Sequence, residues 1–380
     1  MKKPTIIVPL AGLGSRFPKE VWHVPKPLIL IDDKTVIEWS MSCINYDNCN
    51  IIFIVRQEHI TEYSIDSFLK EKFNAKIVVV PELTRGAVET CLAAKHLIDE
   101  SQPVIIHCSD VYWQPAFHAY DFNCDEDGHI LTFKSNSTNY SYSLIEDNLV
   151  KKVAEKKVIS NNASVGIYWF KSGKDFIFAA DKAIENYSGS EIHIAPIYNY
   201  LIDNNKKIST SEVDSMHIFG TPEEMNFFIK NSLKSFPENK KIVGICCDHS
   251  GFKLKEKFKK IASKFNLKVL DFGTYSEIDC DYSEHVKATC KAIIDGKCDF
   301  GFGFCRSGQG VNIAANKIEG IRSVLCYNDW AARFGVKHSC SNFFSISEKF
   351  IDDNQLDSIL HEVMHNCFDG GRHQTRLMKN

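Results

Sequence analysis

Behind a short apolar run the chain reads Leu10-Ala11-Gly12-Leu13-Gly14-Ser15-Arg16-Phe17, and ten residues after Arg16 comes a lysine clamped by prolines, Pro25-Lys26-Pro27-Leu28. Glycines at such a turn let the backbone approach an anion and present N–H groups to it. Arg16 adds a permanent cation whose fork matches phosphate oxygens. Lys26, stiffened by its neighbours, can neutralise charge that develops on a transferring phosphoryl group. Cys108-Ser109-Asp110 follows another apolar run. Asp110 then sits at the carboxyl end of an expected strand, where α/β sheets place ligands, or else it caps a turn.

A second group lies far downstream. Cys247-Asp248-His249-Ser250-Gly251-Phe252 puts an acid and an imidazole at a strand's end, ahead of a helix whose N-terminus favours an anion. Cys305-Arg306-Ser307-Gly308-Gln309-Gly310 ends another apolar run. Helix amides facing a cysteine at such a turn favour its thiolate, and the N–H groups around Gly308 and Gly310 can hold an oxyanion such as an enediolate. A buried, inert thiol is the competing reading of Cys305. Gly370-Gly371-Arg372-His373-Gln374-Thr375-Arg376 carries two arginines four apart, which share a face on a helix and can grip one phosphate.

The elements that position these groups follow from apolar patterning. Runs 5–10, 51–55, 76–80 and 103–107 are short and rich in Ile and Val, as buried strands are. Stretches 36–43 and 85–97 between them have helical spacing. The pattern predicts an α/β fold with a mainly parallel sheet covered by helices. It breaks over a polar, proline-containing stretch and then restarts with a strand over 242–247, a helix over 253–265 and strands over 268–270 and 300–304. We therefore expect two domains, 1–232 and 241–380, joined by a linker over 233–240.

Composition narrows the class. A 44% hydrophobic and 24% charged chain with net charge −3 is an ordinary globular one, with no basic field for nucleic acid. No apolar run approaches the roughly 20 residues of a membrane helix, and no export signal opens the chain, so no membrane partner and a cytoplasmic location are expected. The 14 cysteines are scattered without paired Cys/His spacing, which predicts free thiols, mostly buried, and no structural zinc.

The first 230 or so residues resemble the sugar-phosphate nucleotidyltransferases, a family with a Rossmann-like fold marked by a glycine loop ending in Arg and a Pro-Lys-Pro-Leu lysine. The resemblance extends through Glu82-Leu83-Thr84-Arg85-Gly86-Ala87, Cys108-Ser109-Asp110, Val153-Ala154-Glu155-Lys156, Ser164-Val165-Gly166-Ile167-Tyr168, Glu191 ahead of Ala195-Pro196, and Gly220-Thr221-Pro222-Glu223. It implies that Leu10, Ala11, Gly12, Gly14 and Gly86 hold a nucleoside triphosphate, that Arg16 and Lys26 are catalytic, and that Asp110 binds Mg²⁺. Glu155, Lys156, Gly166 and Glu191 would meet a sugar phosphate. Many relatives carry a second metal-binding aspartate before the Gly-Thr segment. Here that stretch is Met216-His217-Ile218-Phe219, with Asp214 nearby but not evidently equivalent.

The stretch from about Ile242 to Met378 resembles the type B ribose-5-phosphate isomerases, whose relatives include galactose-6-phosphate and allose-6-phosphate isomerases. Beyond the motifs above it shares Asp271-Phe272-Gly273-Thr274-Tyr275, Asp281-Tyr282, Asn312-Ile313-Ala314-Ala315-Asn316-Lys317, Gly320-Ile321-Arg322 and His338. The resemblance implies that Cys305 is the base at C2, that Ser307 assists at the carbonyl oxygen, and that Asp248 and His338 open the ring. His249, Arg372 and Arg376 would hold phosphate, while Tyr282, Gly308 and Gly310 line the site. No cofactor is implied for this part, and a homodimer or homotetramer through it is. Three departures stand out: Arg306 for a usual glycine, Ser339 for a common asparagine, and Lys349 for a frequent arginine. Arg306 points to altered substrate choice, such as a second anionic group. The joint expectation is isomerisation of a sugar phosphate and its coupling to a nucleotide, for capsule or lipopolysaccharide. The alternative is that one domain is catalytic and the other a binding or oligomerising module.

Overall fold

The computed structural model describes residues 3–32, 34–114, 117–118, 125–187, 189 and 191–378. The chain divides into two compact units, Met1–Met225 and Asn226–Asn380. In the first, four parallel strands form the heart of a nine-stranded sheet. Thr5–Pro9 lies between Val104–His107 and Asn50–Arg56, and Lys76–Val80 lies beyond the latter. Ile7, Ile52, Ile54, Val104 and Ile106 pack in one core with helices Ala87–Leu92 and Gly173–Glu185. Phe53 meets Phe73 of helix Ile65–Phe73, ring centroids 5.4 Å apart. Helix capping fixes the start of Val36–Met41, where the Thr35 hydroxyl and the Glu38 carboxylate satisfy each other's backbone N–H.

The sheet then continues in a manner the apolar pattern did not foretell. Asn162–Phe170 runs antiparallel to Val104–His107, and Gly128–Lys134 and the hairpin Ser141–Glu146/Leu149–Glu155 extend from it. The hairpin turns on Asp147 and Asn148, both left-handed, as a two-residue connection between twisted strands requires. The expected helix over 85–97 is interrupted: α-helix covers Ala87–Leu92 and a 3₁₀ turn covers Lys95–Leu97.

The second unit is a five-stranded, all-parallel sheet in the order Lys268–Asp271, Ile242–Cys247, Phe300–Cys305, Phe343–Ser347, Ser323–Cys326. Its strands are apolar on both sides because helices cover both faces. Val243, Ile245 and Cys247 join a core with Phe258, Val336, Leu356 and Leu360 from helices Phe252–Lys264, Asp329–Ser339 and Asp353–His365. Cys246, one residue out of phase, joins the opposite core with Val286, Cys290 and Val311 from Tyr282–Ile294 and Gln309–Asn316. Residues 233–240 hold two 3₁₀ turns, Leu233–Ser235 and Pro237–Asn239. They are tied to this unit by the Ser235 hydroxyl, which accepts the Phe368 N–H, and by Lys240, whose ammonium donates to the Val363 and Asn366 carbonyls. Every described cysteine is free, and most are buried. Among the described residues no helix is long and apolar enough to cross a membrane.

Candidate active sites

Parallel strands deliver their carboxyl ends to one edge, so in the first unit three connections meet there: the loop after Pro9, the loop after Val80 and Cys108-Ser109-Asp110. They enclose a cleft of about 630 Å³. Leu10, Ala11, Gly12, Gly14, Lys26, Gly86, Asp110 and Glu191 all line it. Gly86 is required by its backbone: φ is +140°, and a Cβ there would come within 2.6 Å of the Ile192 backbone. The approach matters because the Ile192 carbonyl accepts the Val88 N–H and the Ile192 N–H donates to Arg85.

Lys26 opens the 3₁₀ turn Lys26–Leu28, where Pro25 and Pro27 restrict the chain around it. Its ammonium lies 2.7 Å from an Asp110 carboxylate oxygen. Burial by itself would raise the Asp110 carboxyl, but the Lys26 charge, with Arg16 farther off, outweighs burial and holds it below the ordinary aspartate range. Asp110 is therefore a carboxylate at neutral pH. Arg16 is exposed and acts on Asp110 through its field.

The strand Ser215–Ile218 pairs antiparallel with Val111–Gln114, Ile218 opposite Val111, and the Phe219 N–H then donates to the Asp110 carbonyl at 2.8 Å. This register puts Asp214 at the far end, where its N–H bonds the Gln114 carbonyl. The carboxylate whose charge does reach Asp110 is Glu224, which sequence reading missed. Burial first, and the Asp110 charge as well, hold its carboxyl above the ordinary range, against the N–H of Thr221. Beside the cleft, the ring of His193, another residue the sequence reading missed, lies 3.5 Å from Glu191 and 3.7 Å from Glu155. Gly166 backs onto Cys108, with room for a Cβ only at 3.0 Å from the Cys108 Cβ. Lys156 is exposed, in a left-handed conformation, directly after Glu155.

In the second unit the carboxyl edge carries the cysteine loop. Cys305 is buried and its sulfur accepts the Gly308 N–H at 3.1 Å. Gly308 has φ of +74°, and a Cβ would strike Leu325 and the Ile346–Ser347 backbone. Tyr282 packs so closely on Gly310 that a Cβ there would fall 2.6 Å from its ring. Asp248 reaches the same edge: its N–H bonds the Phe304 carbonyl, and its carboxylate accepts the Gly251 N–H at 2.8 Å. His249 lies 3.0 Å from the exposed Asp279 carboxylate. Ser307 and Arg306 are exposed on the loop, and the Arg306 carbonyl accepts the Ser347 hydroxyl and the Lys349 N–H.

The other predicted residues gather elsewhere. His338 ends helix Asp329–Ser339, which follows strand Ser323–Cys326 and returns toward the amino edge of the sheet. At about 1.5 Å per residue that helix carries His338 roughly 15 Å from its start. Helix Gly371–Leu377 holds Arg372 and Arg376, as their spacing requires. The His338 and His373 rings stack, centroids 4.0 Å apart and 9° from parallel, with Asp369 3.7 Å from His338 and 3.1 Å from Lys337. Burial lowers His338, helped by Arg372, Lys337 and Arg376; burial, His338 and the same arginines push His373 down to about 4. Both imidazoles are thus neutral among cations. His338, Asp369 and His373 offer ligand atoms within 4.8 Å of one another, but the field of Lys337, Arg372 and Arg376 suits an anion better than a metal ion. His338, Arg372 and Arg376 make no hydrogen bond, ion pair or ring contact with Asp248, His249 or the cysteine loop among the described residues.

Comparison with known proteins agrees with this division. Residues 7–215 match the nucleotidyl transferase family, and residues 243–379 match the ribose/galactose isomerase family. A nucleoside-diphosphate-sugar pyrophosphorylase from Vibrio cholerae RC9 superposes with a TM-score of 0.54 at 26% identity, over 59% of this chain and 99% of its own. Ribose-5-phosphate isomerase B of Escherichia coli is 31% identical over 137 residues, 36% of this chain and 92% of that protein. The chain belongs to the nucleotidyl transferase family through its first unit and to the ribose/galactose isomerase family through its second, and it is an enzyme on both counts.

Proposed function

We propose that the two units catalyse successive steps of nucleotide-sugar precursor synthesis in the cytoplasm, feeding capsule or lipopolysaccharide. The isomerase interconverts an aldose and a ketose sugar phosphate, a pentose 5-phosphate in our reading. The transferase then joins a sugar phosphate to a nucleotide. The observation that carries the proposal is the presence in one chain of both a Lys26–Asp110 pair in a glycine-lined cleft and a cysteine held by a glycine-loop N–H.

In the transferase, a sugar-phosphate oxygen attacks the α-phosphorus of the triphosphate, the new P–O bond forms, and pyrophosphate leaves with the electron pair of the broken bond. Backbone N–H groups around Gly12 and Gly14 hold the phosphates, and Gly86 shapes the base side of the cleft. Lys26 and Arg16 offset charge at the reacting phosphorus. An ionised aspartate facing a phosphate cleft fits Mg²⁺, which favours one or two carboxylates plus phosphate oxygens; Asp110 would hold it, and the ion would screen the repelling phosphates. Glu155, Lys156, Gly166 and Glu191 receive the sugar phosphate.

In the isomerase, Asp248 and His338 open the sugar ring. Cys305 as thiolate removes the C2 proton of the aldose, the electrons move to the carbonyl oxygen O1 as an enediolate, the O2 hydroxyl proton passes to O1 with the aid of Ser307, and the thiol returns its proton at C1 as the C2 carbonyl forms. Ser307 and the N–H groups of the Gly308–Gly310 turn hold the oxyanion, Tyr282 lines the site, and His249, Arg372 and Arg376 hold phosphate. Because His338 and both arginines gather away from the cysteine loop, we propose that a homodimer or homotetramer joins the half-sites of neighbouring copies.

The test is pyrophosphate release with Mg²⁺ across nucleoside triphosphates, CTP first, and across pentose, hexose and heptose phosphates. Release with one pair names the substrates. No release while aldose–ketose exchange persists would favour the second reading, a binding module in place of a transferase. That reading draws on the absence of a carboxylate from Met216-His217-Ile218-Phe219, beside Asp110.

A further inference from the structure

A second cavity, of about 700 Å³, lies wholly within the second unit. Phe300, Arg322 and Asn342 line it where strands Phe300–Cys305, Ser323–Cys326 and Phe343–Ser347 begin, so it opens at the amino edge of the sheet. Cys305 stands at the other end of the first of these strands, roughly 16 Å away at about 3.3 Å per residue. Val336 lines the cavity from helix Asp329–Ser339, whereas His338 is two residues and about 200° farther round that helix. The cavity is therefore separate from the cysteine loop and from the stacked histidines. One wall comes from the turns Phe228–Ser232 and Leu233–Ser235, which supply Ile229, Lys230 and Lys234.

Four cations line this space, Lys230, Lys234, Lys240 and Arg322. Exposed lysines without partners are ordinary, and Lys230 and Lys234 alone would mean little. Lys240 is different, because it is 7% exposed and lysine is almost never buried unless paired. Its ammonium donates to the Val363 and Asn366 carbonyls and makes no ion pair, which leaves one of its three donors unused. Burial lowers this amine to about 8, so it is still charged at neutral pH. Arg322 uses only its Nε, which donates to the Cys340 carbonyl, and both terminal nitrogens lack partners among the described residues. Two carboxylates also line the cavity. Asp299 is occupied by the N–H groups of Lys241 and Ile242, and the exposed Glu319 makes no hydrogen bond or ion pair among the described residues. The balance favours an anion. Ile229 and the half-exposed Ile294 add an apolar surface.

We propose that this cavity is a further ligand site of the chain, for a nucleoside phosphate, apart from both catalytic sites. The phosphate takes the unused donors of Lys230, Lys234, Lys240 and Arg322. Ile229 and Ile294 cover a face of the base, and Glu319 accepts hydroxyl groups of the sugar. The volume is of the order of small-molecule sites and close to the 630 Å³ of the first unit's cleft. The site does not depend on either catalytic reading.

The experiment exposes the full chain to a trace of acetic anhydride and follows acetylation of Lys230 and Lys234 by peptide mass spectrometry. CMP, UMP, AMP and GMP are added in turn, and inorganic phosphate at the same concentration. At ten times its Kd, the nucleotide that fits slows acetylation of both lysines about tenfold, because only the unbound chain reacts. Inorganic phosphate protects less, since it gains nothing from Ile229 and Ile294. In Lys234→Glu the nucleotide concentration that protects Lys230 rises at least about tenfold, the loss of one charge-assisted contact, while aldose–ketose exchange stays at the wild-type rate. A nucleotide acting from the first unit's cleft would be indifferent to Lys234→Glu. Full acetylation of both lysines with every nucleotide overturns the proposal, as does protection of Lys230 that Lys234→Glu leaves unchanged. Protection by inorganic phosphate equal to that by the best nucleotide overturns the assignment to a nucleoside.

Discussion

The two sites are assembled in opposite ways. In the first unit, residues spread from Leu10 to Glu191 converge on one cleft, because parallel strands bring their carboxyl ends to the same edge. In the second unit the same architecture collects Asp248, Tyr282 and Cys305 at the carboxyl edge but leaves His338, Arg372 and Arg376 with Asp369 and His373 at another place. A parallel sheet can complete a site alone only if every contributor comes from a strand's carboxyl end. A contributor from a helix's carboxyl end, such as His338, is carried back toward the other edge, and in the proposed function it meets its partners through another copy.

This contrast makes ordered predictions. Cys305→Ala should lower aldose–ketose exchange by about 10²- to 10⁴-fold, the usual contribution of a general base, with pyrophosphate release from the correct isomer unchanged. Lys26→Ala should do the reverse: release falls by about 10²- to 10³-fold and exchange is untouched. Either variant silencing both activities would show that the units do not work separately. Next, Cys305→Ala chains mixed and refolded with Arg372→Ala chains should regain about a quarter of wild-type exchange, since half the dimers are mixed and each holds one intact site. No regain would mean that each isomerase site is built within one copy.

The smallest effect concerns acid stability. His373 in the folded chain takes up a proton only near pH 4, whereas its ordinary value is 6.5. Between these values the unfolded chain binds more protons, so stability rises with pH and is lost as pH falls from about 6.5 to about 4. His338 is shifted in the same direction. His373→Asn should flatten the decline of the thermal midpoint across that window, as read by calorimetry. An unaltered slope would show that the stacked histidines do not carry it.

Much of this was legible in the sequence, for identifiable reasons. The buried parallel strands announce themselves because both faces are apolar, so Asn50–Arg56 and Ile242–Cys247 stand where the pattern predicts them. The antiparallel half was not legible: Leu149–Glu155 reads Leu-Val-Lys-Lys-Val-Ala-Glu, where the consecutive Lys151 and Lys152 are both exposed and break any alternation. Motif residues that share a loop, such as Cys305 and Gly308, were found together. His193, Glu224 and Asp369 were not, because their roles arise from residues distant in sequence or from a fold in the chain that spacing does not encode. Asp214 could be set aside only once the strand register was known.

The central claim, two successive reactions in one chain, is tested most directly by supplying each sugar-phosphate isomer separately to wild type and Cys305→Ala with Mg²⁺ and the cognate triphosphate. The account predicts that wild type releases pyrophosphate from either isomer, whereas Cys305→Ala releases it from one isomer only. Equal release by Cys305→Ala from both isomers, or none by wild type from either, would contradict it.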